Sequence, residues 1–196
     1  MIRDKQKGMD TKTMVMGAVM TALVIVFQLI STYTTFFGPF STAMALIPIV
    51  IGTALCGVVI GGWLGFVFGM VVILTGGAAL FWPFSIIGSI VTVLAKGIAC
   101  GVAAGLVYRA LAKWNRYLAV LAAAIACPLA NTGVFLLGCT IFFLPSASGI
   151  AAVLGWSTSG MEVFWALAMG NFIFELGINV FISPLIVRLL ALVKIK

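Results

Sequence analysis

Long apolar runs, broken by short glycine-, proline- or charge-marked interruptions, make up almost the whole chain. A helix needs about 20 apolar residues to span the hydrocarbon core of a bilayer, and that length divides the runs. A first span is predicted from about Thr13 to Tyr33, followed by a turn, Thr34 to Ser41, carrying Phe36, Phe37, Gly38, Pro39 and Phe40. Thr42 to Leu80 is apolar almost without interruption, too long for one helix and right for two, with a break expected between Gly57 and Gly62. A fourth span starts at the Trp82-Pro83 turn and ends at Tyr108-Arg109, and a fifth runs from about Tyr117 to Leu144. Pro145 to Gly160, rich in Ser and Gly, reads as the longest loop, and a sixth span extends from Met161 to about Leu192.

The basic residues test that count. All of the 11 Lys and Arg residues except Lys96 fall in three places: Arg3, Lys5, Lys7 and Lys12; Arg109, Lys113 and Arg116; and Arg188, Lys194 and Lys196. Lys and Arg are retained on the cytoplasmic side of a membrane, and six spans put all three clusters on that side. Reading Thr42 to Leu80 as one span would push the central cluster outside. The expectation is an all-α, polytopic six-helix bundle with both termini cytoplasmic, residues 1–196 forming a single transmembrane domain in a bacterial inner membrane. The basic start and apolar stretch superficially resemble a signal peptide. Met14 to Ile30 is long for that, and Ser-Thr-Tyr-Thr-Thr-Phe-Phe offers no small-residue cleavage site, so a retained first helix is expected.

Composition agrees with a membrane class, since 64% of residues are hydrophobic and 8% charged, against roughly 25% charged in a soluble domain. The net charge of +7 is topogenic and does not form the clustered basic face that nucleic acid requires. Cys56, Cys100, Cys127 and Cys139 all lie in apolar runs, with no C-x-x-C pair and no histidine to complete a metal site, and read as small hydrophobes. No phosphate-binding G-x-x-x-x-G-K-[ST] loop is present, and no catalytic residue, metal or cofactor is expected. Energy for active transport would have to come from a partner or an ion gradient.

Polar residues inside the spans carry the candidate chemistry. An ionisable side chain at mid-bilayer costs roughly 2.5 to 3.5 kcal/mol on insertion scales, so it needs a partner or a cavity. Lys96 and Glu175 qualify, at about 16 and 20 Å from the outer ends of their helices, with Asn131 at a similar level. Lys96 shares a face with Ser85, Ser89 and Thr92, and Glu175 with Asn171 and Asn179. Two readings stand side by side: a Lys96–Glu175 salt bridge with amides crosslinking the helices, or an outward-facing ligand pocket with a mouth formed by Tyr33, Phe36, Phe37, Trp82 and Trp156. Small-residue stripes recur at four-residue spacing, Gly61-Gly65-Gly69 and Gly97-Gly101-Gly105, and suit close helix packing. Ala18-x-x-x-Ala22 either packs internally or docks another membrane subunit.

The basic six-span layout, Ala18-x-x-x-Ala22, the run Met44-Ala45-Leu46-Ile47-Pro48-Ile49-Val50-Ile51-Gly52 and the following Gly61-Gly62-Trp63-Leu64-Gly65-Phe66-Val67-Phe68-Gly69 together resemble the substrate-binding S components of energy-coupling factor (ECF) vitamin transporters. The resemblance covers nearly the whole chain. It implies that Ala18 and Ala22 contact a transmembrane coupling subunit, that two cytoplasmic ATPases power uptake, and that Tyr33 to Ser41 closes a vitamin site built largely from the last three spans. Ligand residues vary within that family, so the proposed substrate set Lys96, Asn131, Asn171, Glu175, Thr92, Ser89, Tyr33, Phe36 and Trp82 rests on polarity and position. A lysine at pocket depth favours pantothenate, with folate or riboflavin next; the biotin-specific branch is not resembled. The alternatives are a self-sufficient proton-coupled carrier using Glu175, and a membrane assembly protein.

Overall fold

The computed structural model describes residues 10–33, 44–157 and 160–192. Among these the helices are α1 Thr11–Tyr33, α2 Leu46–Cys56, α3 Val58–Leu74, α4 Ile86–Leu111, α5 Arg116–Gly138, α6 Ala147–Leu154 and α7 Met161–Leu192. The six expected spans correspond to α1 to α5 and α7. Phe36, Phe37 and the rest of the expected lid after Tyr33 lie outside the described residues, as do Arg3, Lys5, Lys7, Lys194 and Lys196.

Local chemistry places the boundaries. Gly57 has φ of +90°, a backbone conformation that favours glycine, and it divides the long apolar run into α2 and α3. Pro48 sits in the first turn of α2, where no backbone N–H is needed. The fourth span begins later than Trp82, because Ser85 caps it by accepting from Gly88 N at 3.0 Å. Asn115 caps α5, accepting from Tyr117 N at 2.8 Å and Leu118 N at 3.3 Å. Proline at position 184 removes the N–H that would serve the Val180 carbonyl, and the Ser183 hydroxyl donates to that carbonyl at 2.8 Å instead.

Four stretches are long and apolar enough to cross a bilayer unaided: Thr11–Tyr33, Ile86–Leu111, Arg116–Leu154 and Met161–Arg188. The other two spans are shorter. At 11 residues, α2 covers only about 16 Å. It survives at that length because it is central, packed against α1, α3, α4, α5 and α7, with Leu46, Ile49 and Val50 fully buried. Protein, rather than lipid, surrounds most of its backbone.

The two glycine stripes face each other across the α3–α4 interface. A Cβ on Gly65 would collide with the Gly97 carbonyl, one on Gly97 with the Gly65 carbonyl, and one on Gly101 with the Gly61 carbonyl. Backbones that meet this closely gain dispersion contacts, which drive association where lipid is as apolar as the protein.

Pairings along the helices set their directions. Gly17 faces Ile60, and Gly105 faces Thr53 and Val58, so the start of α1, the α2–α3 turn and the end of α4 share one end of the bundle. Asn131 pairs with Glu175 and Thr140 with Met161, which makes α5 and α7 antiparallel. Lys12, Arg109, Lys113, Arg116 and Arg188 therefore gather at the same end, the cytoplasmic one by the positive-inside rule.

The Pro145 to Gly160 segment departs from the loop expected. After α5 the chain makes a wide π-helical turn, Cys139–Phe143, then a short 3-10 turn and α6. Ala147, Ile150 and Ala151 are buried while Val153 is exposed, the one-sided pattern of an amphipathic helix. The density of Ser and Gly masked that periodicity.

Candidate functional site

Between two walls of the bundle lies a cavity of about 340 Å³, at the small end of the ~300–1,000 Å³ range of ligand pockets. One wall is Gln28 and Thr32 of α1, Phe68 and Val72 of α3, and the turn Thr75 to Gly77. The opposite wall is Lys96 of α4, Asn131, Thr132 and Phe135 of α5, and Leu167, Ala168, Asn171 and Glu175 of α7. Leu80, Phe81 and Leu154 complete it at the non-cytoplasmic end. Most of these residues recur at four-residue spacing, which keeps each set on one helix face.

The two charges on the second wall are handled differently. Glu175 is buried, and the Asn131 Nδ2 donates to its carboxylate oxygens at 3.0 and 3.3 Å. Asn179, also on the polar stripe of α7, donates to the Glu175 backbone carbonyl at 2.8 Å and serves the helix itself. The Lys96 ammonium lies 5.4 Å from the centroid of the Phe135 ring. No Lys96–carboxylate contact within the 4.0 Å of a salt bridge occurs among the described residues, so the Lys96–Glu175 bridge, one of the two readings of the sequence, is not formed. A cation–π contact is worth about 0.5 to 2 kcal/mol. Glu175, on the same wall, attracts the ammonium from beyond ion-pair distance.

Acceptors are the second resource. The Gln28 Oε1, Asn131 Oδ1 and Asn171 Oδ1 atoms are buried without a hydrogen-bond partner, and all three residues line the cavity. A buried polar atom left unpaired costs roughly 1 to 3 kcal/mol. The cavity thus combines one cation, a carboxylate held by an amide, the rings of Phe68, Phe81 and Phe135 and three lining residues whose buried amide oxygens lack partners. It can receive an anionic group at one point and hydrogen-bond donors at several others.

The sequence-derived set divides on this geometry. Lys96, Asn131, Asn171 and Glu175 share the cavity. Ser89 and Thr92 line a smaller adjoining space of about 40 Å³, which Lys96 and Phe135 also border. The Ser89 hydroxyl donates to the Ser85 carbonyl at 2.7 Å, whereas Thr92 Oγ1 is unpartnered. Tyr33 and Trp82, expected at the mouth, are not among the residues lining the cavity. Tyr33 is 82% exposed because the buried face of α1 passes through Gln28 and Ser31, and Trp82 is exposed while its neighbour Phe81 turns inward against Phe135 and Phe143. Phe36 lies outside the described residues.

Ala18 and Ala22 are exposed on the side of α1 away from Gly17, Met20, Val24 and Gln28, so internal packing does not account for them. The α1–α3 wall went unread in the sequence. Gln28 was its available signal: the only amide in the apolar run of α1, sharing a face with Thr32 at four-residue spacing.

No curated protein matches the chain. The family model described as "ECF transporter, substrate-specific component" matches residues 12–187, which takes in all six spans. The chain belongs to that family, and it is the substrate-specific component of an ECF transporter in the membrane.

Proposed function

We propose that the cavity between α1–α3 and α4–α5–α7 binds a water-soluble vitamin from outside a bacterial inner membrane, for delivery to the cytoplasm. Pantothenate is favoured, with folate or riboflavin next. The observation that carries this reading is Lys96: a cavity-lining ammonium with no salt-bridge partner among the described residues, beside three lining amides whose oxygens lack hydrogen-bond partners. Pantothenate offers a carboxylate for the lysine and hydroxyl and amide donors for the acceptors. It is also compact, which suits a cavity of about 340 Å³.

In this reading the protein binds and hands over its substrate without chemical conversion. Ala18 and Ala22 dock the transmembrane coupling subunit, and two cytoplasmic ATPase subunits supply the energy. Thermal unfolding of the purified protein against a panel of B vitamins tests the proposal. Ligand at a hundred times its Kd stabilises a native state by about 2.7 kcal/mol, so a clear upward shift is expected with pantothenate, folate or riboflavin. A panel without any shift would contradict the vitamin assignment. Uptake by the chain alone in proteoliposomes, abolished by dissipating the proton gradient, would replace the ECF mechanism with a Glu175-based carrier.

A further inference from the structure

We infer that Gln28 of α1 is a specificity residue, accepting a hydrogen bond from a hydroxyl or N–H donor of the substrate while an anionic or other acceptor group of the substrate is held across the cavity at Lys96. The inference rests on the proposed binding function and narrows its substrate class to ligands that carry a hydrogen-bond donor separate from the group held at Lys96.

Three observations converge on Gln28. Its side chain is 3% exposed and lines the cavity, deep in a helix that is otherwise apolar at that level. The amide is also oriented. Its Nε2 donates to Thr32 Oγ1 at 3.4 Å, Thr32 Oγ1 donates to the Gln28 carbonyl at 3.0 Å, and Thr32 meets Thr75 Oγ1 at 3.3 Å. Thr75 in turn donates to the Val71 carbonyl at 2.8 Å, which ties the set to the end of α3. With the nitrogen side engaged, Oε1 is left as a buried acceptor without a partner. Gln28 borders the cavity, so a donor that a substrate brings there is placed to satisfy it.

The position of Gln28 gives this contact a consequence. Helix α1 packs chiefly against α2 and α3, whereas Lys96, Asn131 and Glu175 stand on α4, α5 and α7. A substrate held at both points braces α1 against the opposite wall. The same helix carries Ala18 and Ala22 on its outer face, so occupancy of the cavity is felt by the surface proposed to dock.

The test uses the full chain in detergent. Whichever of pantothenate, riboflavin and folate stabilises the wild type is titrated into wild type and Gln28→Met, together with analogues stripped of one hydroxyl or N–H donor at a time. Methionine keeps the length of the side chain and removes the acceptor. Wild type should lose on the order of tenfold in affinity for one particular analogue, and Gln28→Met should bind that analogue and the parent equally, about tenfold more weakly than wild type binds the parent. Ligand should also slow amide exchange along Val24 to Thr32 in wild type and not in the variant. A merely structural role would weaken every ligand alike and keep the discrimination. Should Gln28→Met not fold, Thr32→Val, which frees the amide to rotate, should show the same loss of discrimination. Undiminished parent affinity, or discrimination retained in the variant, would overturn the inference and leave the vitamin reading standing. No stabilisation by any of the three vitamins would instead remove that reading and this inference with it.

Discussion

Two interfaces of α3 and α4 do opposite things with the same helices. At the Gly61-Gly65-Gly69 seam, α3 and α4 meet backbone to backbone, with no room for a Cβ. Farther along the bundle, Phe68 and Val72 of α3 and Lys96 of α4 border open space whose lining residues include amides with unpaired oxygens. The first arrangement is what stability demands, since every group has a packing partner. The second is costly in the absence of a substrate, by roughly 1 to 3 kcal/mol for each unsatisfied acceptor. Closeness at the seam and incompleteness at the cavity mark off structural from functional parts of one bundle.

The largest expected effect comes from breaking the seam. Gly97→Leu forces a side chain into the Gly65 carbonyl, and a loss of about 3 kcal/mol or more is expected, at the upper end for overpacking. Thermal unfolding without ligand would register it as a sharp drop in Tm and in folded yield. A variant as stable as wild type would mean that the seam tolerates separation. The smallest effect belongs to the outer face of α1. Replacing Ala18 and Ala22 with Leu should alter stability and vitamin binding by less than about 0.5 kcal/mol, because these positions face outward. The same variant should fail to copurify with coupling and ATPase subunits; normal assembly would remove the docking role.

How much of this was legible in the sequence follows from what is local and what is not. Apolar length and the three basic clusters are local, and they placed six spans, their direction and the break at Gly57. Lys96, Asn131, Asn171 and Glu175 stood out because a polar group in an apolar run is itself a local signal. Which faces meet is not local. Gln28, Thr32 and Thr75 became part of the site only because α1 and α3 pack opposite α5 and α7, and no spacing within one helix states that. Tyr33 and Trp82 show the converse: aromatic residues at the right end of the bundle that are exposed and do not line the cavity. The brevity of α2 was equally hidden, since it depends on being surrounded by five other helices.

Titration of pantothenate into wild type and Lys96→Ala, with unfolding of both proteins measured without ligand, reaches the central claim most directly. A hydrogen bond to a charged partner contributes about 1.5 to 3 kcal/mol, so binding should weaken by roughly tenfold to more than a hundredfold. Stability without ligand should change by no more than about 2 kcal/mol, because Lys96 makes a ring contact and no ion pair within 4.0 Å, and its longer-range attraction to Glu175 is opposed by its own burial cost. Parallel loss of binding and stability would make Lys96 structural glue, and unchanged binding would show that the anionic group is held elsewhere.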